Sequence, residues 1–153
     1  MAAKLAEMAS EVASLLDAPS AAVLAVYDAK GETVVSPVWF RADRDAFEIV
    51  IGARDRKLEL LRHDPRATLL IFETARPFRG VQVRGRVTIV PDDAAATRLA
   101  IASRYLGPAD GARFADLARR PPGFVIGLSL ADAIAWNLGD ALPEAAPPSS
   151  STP

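Results

Sequence analysis

The 153-residue sequence contains no cysteine and a single histidine, His63. Without cysteine, the chain can form neither disulfides nor thiolate metal sites, and it has no thiol nucleophile. One histidine is too few for a histidine-rich zinc site, and a Ser-His-Asp triad would have to use His63. His63 lies late in a charged segment, where we expect it to be exposed to solvent. The sequence therefore indicates no catalytic residue and no metal ligand.

A large net charge and long apolar runs are also absent. The formal net charge is −1, so we do not expect a general surface for nucleic acid. No segment reaches membrane-spanning length, and the N-terminal region carries Lys4, Glu7 and Glu11 instead of an apolar signal core. We therefore expect a cytoplasmic protein that binds neither membranes nor nucleic acid. The chain becomes rich in Pro, Ala and Ser near its end, which predicts one domain at residues 1–138 and a flexible tail at 139–153.

Most of the remaining sequence predicts β-strands. An amphipathic helix is expected first, at residues 3–17, and the first three strands are expected to form a meander. The predicted strands are 21–27, 33–40, 46–51, 67–72, 81–90, 124–130 and 133–138. Two further helices are expected, from residue 91 to about 105 and from 110 to 118. The pattern predicts a mainly β fold with peripheral helices, a small antiparallel barrel of six or seven strands.

A basic segment joins the strand at 46–51 to a short helix. Gly52 ends the strand, and Asp55 has the side chain of a helix N-cap. Backbone N–H groups and the positive end of the helix dipole would then face the same place as Arg54, Arg56 and Lys57. These features predict an anion site suited to a phosphate. The alternative is a solvated basic helix start whose charge is offset by nearby Glu59.

The order of elements around this segment resembles the split-barrel flavin proteins of the pyridoxamine 5′-phosphate oxidase-like superfamily. The resemblance rests on a strand, Arg56-Lys57, a short helix and Asp64-Pro65-Arg66-Ala67, together with the strands containing 37–40, 80–87 and 134–136. It covers residues 10 to 138. It implies a split β-barrel and a homodimer whose two cofactor sites lie at the subunit interface. The cofactor would be FMN or the deazaflavin coenzyme F420.

The resemblance also implies which residues bind the cofactor: basic residues at the phosphate, mostly apolar residues near the ring, and a polar and an aromatic contact. The phosphate contacts are Arg54, Arg56 and Lys57, and the residues near the ring are Val50, Ile51, Gly52, Val38 and Trp39. The polar contact is Gln82 and the aromatic contact is Trp136. Trp136 would close the pocket from the partner subunit, whereas the alternative for Trp39 is a place in the core. The acidic tail of F420 would need more basic surface, supplied by other arginines if they converge: Arg54, Arg62, Arg79, Arg84 and Arg86.

The leading functional hypothesis is an oxidoreductase that uses F420 or FMN for hydride transfer to a small organic substrate. The alternatives are a non-catalytic flavin- or tetrapyrrole-binding protein and a cofactor-free structural dimer. In the superfamily a serine precedes the Arg-Lys pair, whereas this chain has Asp55, whose carboxylate would repel a phosphate and favours the alternatives. The Arg56-Lys57 pair favours the oxidoreductase. Vitamin B6 oxidation is not expected, because Val35 or Ser36 and Phe40 stand where those oxidases have an arginine and a lysine.

Overall fold

The computed structural model of the protein describes residues 10, 12–92, 95–117 and 122–145. Within these residues the strands are β1 (Ala21–Tyr27), β2 (Thr33–Val38), β3 (Arg41–Asp43), β4 (Ala46–Gly52), β5 (Arg66–Phe72), β6 (Gly80–Arg86), β7 (Thr88–Asp92), β8 (Gly123–Ser129) and β9 (Ile134–Trp136). The helices are α1 (Arg56–His63), α2 (Ala96–Leu106) and α3 (Pro108–Leu117). Residues 12–17 are also helical. None of the helices in these ranges is long and apolar enough to cross a membrane.

The strands form two antiparallel sheets. The five-stranded sheet has the order β2-β1-β5-β6-β9, and the four-stranded sheet has the order β3-β4-β8-β7. Alternate residues of each central strand enter one core between the sheets, because side chains of a strand point to opposite faces in turn. The core includes residues of both sheets that are at most 2% exposed: Leu24, Val26, Phe47, Ile49, Leu69, Ile71, Ile126 and Leu128. This architecture confirms the predicted mainly β fold with peripheral helices.

The second face of the five-stranded sheet carries apolar side chains that the core does not cover. Val23 of β1 lies opposite Leu70 of β5, and Leu70 lies opposite Gln82 of β6. On the two edge strands, Val35 is 60% exposed and Ile134 is 61% exposed. The part of this face around these residues is therefore apolar yet partly open to solvent.

Helix α1 forms as the basic segment predicts. The Asp55 carboxylate accepts a hydrogen bond from the Lys57 backbone N–H at 2.9 Å, which makes Asp55 the N-cap. Leu58 and Leu61 are 1% and 0% exposed, so the helix packs its apolar side on the core. The Asp64 N–H donates to the Leu60 carbonyl at 2.8 Å at the C-terminal end. The predicted short helix is thus anchored at both ends.

The predicted strand at 81–90 is divided between the two sheets. Strand β6 pairs with β5 and β9, whereas β7 pairs with β8. Between them, the Val87 N–H donates to the Pro65 carbonyl at 2.8 Å. The prediction of one continuous strand was wrong because the side-chain alternation continues through Val87 while the chain changes sheets.

Other boundaries also differ from the predictions. Residues 41–43, which lie between the predicted strands at 33–40 and 46–51, form β3, where Arg41 donates to Glu48 of β4 at 2.6 Å. Strand β4 leaves the predicted meander and pairs with β8 instead of β2. A 3-10 turn at Leu130–Asp132 sends β9 to the other sheet, so the last two strands are not a hairpin. These changes raise the strand number above the predicted six or seven.

The predictions for the two chain ends are only partly covered by the described residues. Leu5 and Met8 of the predicted N-terminal helix lie outside them, but Val12 and Leu15 are 0% and 2% exposed on its last turns. Residues 139–145 contain a 3-10 turn, and Arg76 Nη1 donates to the Pro143 carbonyl at 2.7 Å. The rest of the predicted tail, 146–153, lies outside the described residues, so the domain boundary at 138 stays a prediction.

Candidate functional site

A cavity of about 950 Å³ lies beside β1, β2 and β4 and beneath α2 and α3. Its volume is at the upper end of the roughly 300–1,000 Å³ usual for small-molecule sites. Its lining residues are Pro19, Ser20, Ala21, Ala22, Val23, Pro37, Val38, Trp39, Ile49, Val50, Ile51, Gly52, Asp55, Lys57, Phe72, Arg98, Ile101, Tyr105 and Phe114. Most of them are apolar. The three charged members form one group, and three of the four aromatic members form a second.

The first group, the charged end, consists of Asp55, Lys57 and Arg98. Lys57 Nζ lies 2.8 Å from Asp55 Oδ2, and the two side chains are 19% and 33% exposed. The same carboxylate caps α1, so Asp55 binds both the backbone and the side chain of Lys57. The positive end of the α1 dipole adds to the ammonium charge here, while Asp55 opposes it.

Arg98 is the member of the charged end that sequence reasoning missed. Only 7% of its surface is exposed, and its backbone N–H donates to Asp92 Oδ2 at 3.0 Å. Its guanidinium lies so close to Gly123 that a Cβ on that residue would collide with it. A signal was available in the sequence, because Arg98 shares the helix face of Ile101 and Ala102 at three- and four-residue spacing.

The second group, the aromatic end, consists of Trp39, Tyr105 and Phe114. The Trp39 and Tyr105 rings are stacked, with centroids 5.0 Å apart and planes inclined by 10°. The Phe114 ring lies 5.4 Å from Trp39 at 53°. The Tyr105 hydroxyl donates to the Ser20 carbonyl at 2.9 Å and accepts from the Phe40 N–H at 3.4 Å. Burial raises the pKa of Tyr105 above its ordinary value.

The structure brings many of the predicted cofactor-binding residues together. The lining of the cavity includes Val38, Trp39, Val50, Ile51, Gly52 and Lys57. Arg54 and Arg56 are exposed on the same joint and are not part of the lining. Lys57, in contrast, lines the cavity together with its carboxylate partner Asp55.

Gln82 and Trp136 lie away from the cavity within the same chain. Gln82 is opposite Ile134 in the register of β6 and β9. Trp136 is opposite Gly80, and its indole occupies the space that a Gly80 side chain would need. A role for either residue in the site therefore requires a second copy of the chain.

The further arginines do not converge on the cavity. Arg79 forms an ion pair with Glu73 at 2.9 Å, and this guanidinium holds the pKa of Glu73 below its usual range. Arg62 lies over the Phe124 ring at 4.9 Å. Arg84 and Arg86 are exposed on β6, where Arg86 lies opposite Arg66. No residue of this group lines the cavity described above, so the hypothesis of an extended basic surface gains no support within one chain.

The Asp64-Pro65-Arg66 part of the motif has a structural role. Asp64 accepts hydrogen bonds from the backbone and the guanidinium of Arg66, at 3.1 Å and 2.6 Å. These bonds lower the pKa of Asp64 to about 2. The Arg66 guanidinium also lies over the Tyr27 ring at 4.9 Å. The motif thus fixes the passage from α1 to β5, while His63 beside it is exposed, as expected.

The two antiparallel sheets, the helix inserted after β4 and the cavity at its start define a split-barrel protein. The family described as pyridoxamine 5′-phosphate oxidase matches residues 8–137. The chain therefore belongs to this family, as its sequence motifs indicated. No curated protein matches the chain.

Solved structures agree with this family and with the fold. A conserved hypothetical protein from Mycobacterium tuberculosis is 21% identical, with a TM-score of 0.74 over 94% of this chain and 93% of the other. An F420 reductase is 26% identical, with a TM-score of 0.64 over 79% and 94%. A FAD-binding protein from Mesorhizobium loti is 22% identical, with a TM-score of 0.60 over 83% and 90%. The split-barrel prediction is confirmed, and the fold is one that flavin- and F420-related proteins share.

Proposed function

We propose that the protein is an oxidoreductase that binds FMN or coenzyme F420 and uses it to transfer hydride to a small organic substrate. The observation that carries the proposal is the cavity, which is lined by a lysine in the first turn of a helix and by mostly apolar residues. Family membership and the similarity to an F420 reductase support the same conclusion. When bound in its reduced form, such a cofactor would supply a hydride to the substrate and be left oxidised, while the accompanying proton would come from water.

The residues of the charged end suit the phosphate of either cofactor. Lys57 provides an ammonium group at the cavity surface, and the α1 dipole contributes further positive potential. Arg54 and Arg56 are exposed on the same joint, so that with Lys57 its three cations exceed by one the two carboxylates of Asp55 and Glu59. A phosphate approaching Lys57 must compete with Asp55 for the ammonium group. The net charge of this joint nevertheless favours an anion.

The walls of the cavity suit the ring system of either cofactor. Val38 of β2 and Val50 and Ile51 of β4 line the same space, and Gly52 leaves its side-chain position empty. These apolar groups exclude water from a bound ring, which protects a hydride from loss to solvent. No acid or base of the protein is required, because the protein only has to bind, orient and shield.

A homodimer is the second part of the proposal. The open face of the five-stranded sheet, with Val23, Val35, Leu70 and Ile134, is the surface that a second copy would cover. The cavity reaches this face through Ala21, Val23, Pro37 and Phe72. A copy packed there would bring Gln82 and Trp136 of the partner subunit toward the site.

The cofactor-free dimer is a second candidate, and the Asp55–Lys57 ion pair favours it. The ammonium group already has a carboxylate at 2.8 Å, so the charged end is electrostatically satisfied without a phosphate. The two candidates differ in one measurable property, which is the affinity for the cofactors.

The decisive experiment is an equilibrium titration of purified apo-protein with FMN and, separately, with F420, followed by the fluorescence of the cofactor. We expect a dissociation constant of about 1 μM or tighter, close to −8 kcal/mol, for one of them. Failure of both to bind would favour the cofactor-free dimer. Sedimentation of Ile134→Asp, with Val90→Asp on the four-stranded sheet as the control, tests the dimer: only the first change should yield monomers.

A further inference from the structure

The aromatic end of the cavity has no task in anchoring a phosphate. Its three rings come from three parts of the chain: Trp39 follows β2, Tyr105 lies near the end of α2, and Phe114 lies on α3. All three line the same cavity as Lys57. The helical pair α2 and α3 therefore delivers two aromatic rings to a place that the strands alone would leave open.

Two of the rings are fixed and the third is accessible. Tyr105 is held through its hydroxyl, which bonds the Ser20 carbonyl and the Phe40 N–H, and Trp39 stacks on Tyr105. Phe114 is 41% exposed although it touches Trp39. A phenylalanine that only filled the core would be covered on both faces. The exposed ring surface is thus available to a bound molecule.

Charge and shape then define what this end can bind. The charged residues of the cavity, Asp55, Lys57 and Arg98, form its other group, and the aromatic end offers ring faces and edges. Ring faces stabilise flat conjugated molecules by offset stacking, which contributes beyond simple burial of area. Saturated molecules of the same size would bury similar area without that contribution.

We propose that Trp39 and Phe114 form the substrate-stacking wall, and that the substrate is a flat, conjugated compound with no charge on the portion that enters this end. The inference rests on the proposed function, because it places the substrate beside a cofactor held at the charged end. Phe114 is the specificity-determining residue, and Tyr105 is a positioning residue that holds Trp39.

The test compares two non-reacting probes with the same carbon skeleton, flat 1-naphthol and saturated decahydro-1-naphthol. Their affinities are measured by calorimetry for the protein alone and for the protein saturated with FMN or F420. We expect 1-naphthol to bind about three- to tenfold tighter than the saturated probe in the cofactor-loaded protein. Phe114→Leu should abolish this preference. Phe78→Leu is the matched control, because Phe78 is 37% exposed and lies outside the cavity lining.

Each outcome bears on a different claim. Equal affinities of the two probes in loaded wild-type protein, or an unchanged preference in Phe114→Leu, would overturn the stacking wall while leaving the cofactor site intact. Competition between 1-naphthol and the cofactor would also overturn it, since the aromatic end would then hold the cofactor ring. If neither cofactor binds, the proposed function fails, yet a flat-probe preference in the unloaded protein that Phe114→Leu removes still supports the wall.

Discussion

The two ends of the cavity are built in different ways. At the charged end, Asp55 and Lys57 are two residues apart, and a helix cap fixes them relative to each other. At the aromatic end, Trp39, Tyr105 and Phe114 meet only because α2 and α3 pack against the region after β2. The first arrangement follows from local backbone geometry and the second from tertiary packing. Changes at the charged end should therefore alter binding, whereas changes at the aromatic end should also report on the fold.

The largest expected effect concerns packing beneath the charged end. It tests whether a change at that end can alter the stability of the fold and not only binding. In Gly123→Ala, the new Cβ would lie 2.8 Å from Val50 Cγ1 and would collide with the Arg98 guanidinium. We expect the free energy of unfolding to fall by about 1–3 kcal/mol in urea denaturation. Gly85→Ala is the control, since its nearest atom beyond the adjacent residues is Leu128 Cδ2 at 3.8 Å. Equal stability of the two variants would contradict the tight contact at Gly123.

The next effect tests the charged end as a binding device. Arg56→Ala combined with Lys57→Ala should weaken cofactor binding at least about tenfold, because the phosphate loses two cations. Circular dichroism should remain that of the wild type, since neither side chain lies in the core. Lys30→Ala, at an exposed position in the connection between β1 and β2, controls for the loss of a positive charge. Unchanged affinity in the double variant would remove Arg56 and Lys57 from the site.

A smaller effect separates the two roles of Asp55. Asp55→Ala removes the cap of α1 and should lower the free energy of unfolding by about 1 kcal/mol. Asp55→Ser keeps a capping oxygen but removes the carboxylate that binds Lys57 Nζ, so we expect little loss of stability and tighter phosphate binding. Thermal denaturation and cofactor titration of both variants measure the two quantities. Weaker binding by Asp55→Ser would mean that the carboxylate positions Lys57 for the phosphate.

The smallest effect sharpens the comparison at the aromatic end. Tyr105→Phe loses the hydroxyl that bonds Ser20 and Phe40, which should cost about 0.5–1 kcal/mol at neutral pH. Burial raises the pKa of Tyr105 above its ordinary value of 10.0. The unfolded chain therefore loses this proton at lower pH than the folded protein does. Its contribution to stability is fully present below pH 10.0 and is lost as the pH rises through the folded pKa.

Urea denaturation at pH values on both sides of 10.0 measures this dependence for the wild type and for Tyr105→Phe. The wild type should lose more stability on the alkaline side, because only it carries the Tyr105 hydroxyl. Parallel pH profiles of the two proteins would indicate that Tyr105 ionises as readily in the folded as in the unfolded state.

The sequence was informative wherever a local rule determined the structure. The cap at Asp55, the helix after it and the alternation that buries Phe47, Ile49 and Ile51 follow from backbone geometry and side-chain period. The change of sheet at Val87 could not be predicted in the same way. The residues before and after Val87 keep the same alternation of inward and outward side chains. Only pairing with distant strands distinguishes β6 from β7.

The residues of the candidate site also differ in whether a local motif or tertiary packing places them. Lys57 and the Val50 to Gly52 segment were predicted because they lie next to a recognisable motif. Tyr105 and Phe114 belong to helices without such a motif, and their contact with Trp39 depends on how those helices cross the strands. Arg98 was missed for a related reason, since a lone arginine on a helix is usually exposed.

The pairing of β4 with β8 also determines when β4 can fold during translation. Val50 to Gly52 of the cavity wall lie on β4, whose two sheet neighbours are the three-residue strand β3 and the seven-residue strand β8. During translation, β4 therefore lacks a neighbour of its own length until the last residue of β8, Ser129, has emerged from the ribosome. A nascent chain can therefore complete the hairpin of β1 and β2 early, but it can finish the β4 wall of the cavity only after β8 has been synthesised.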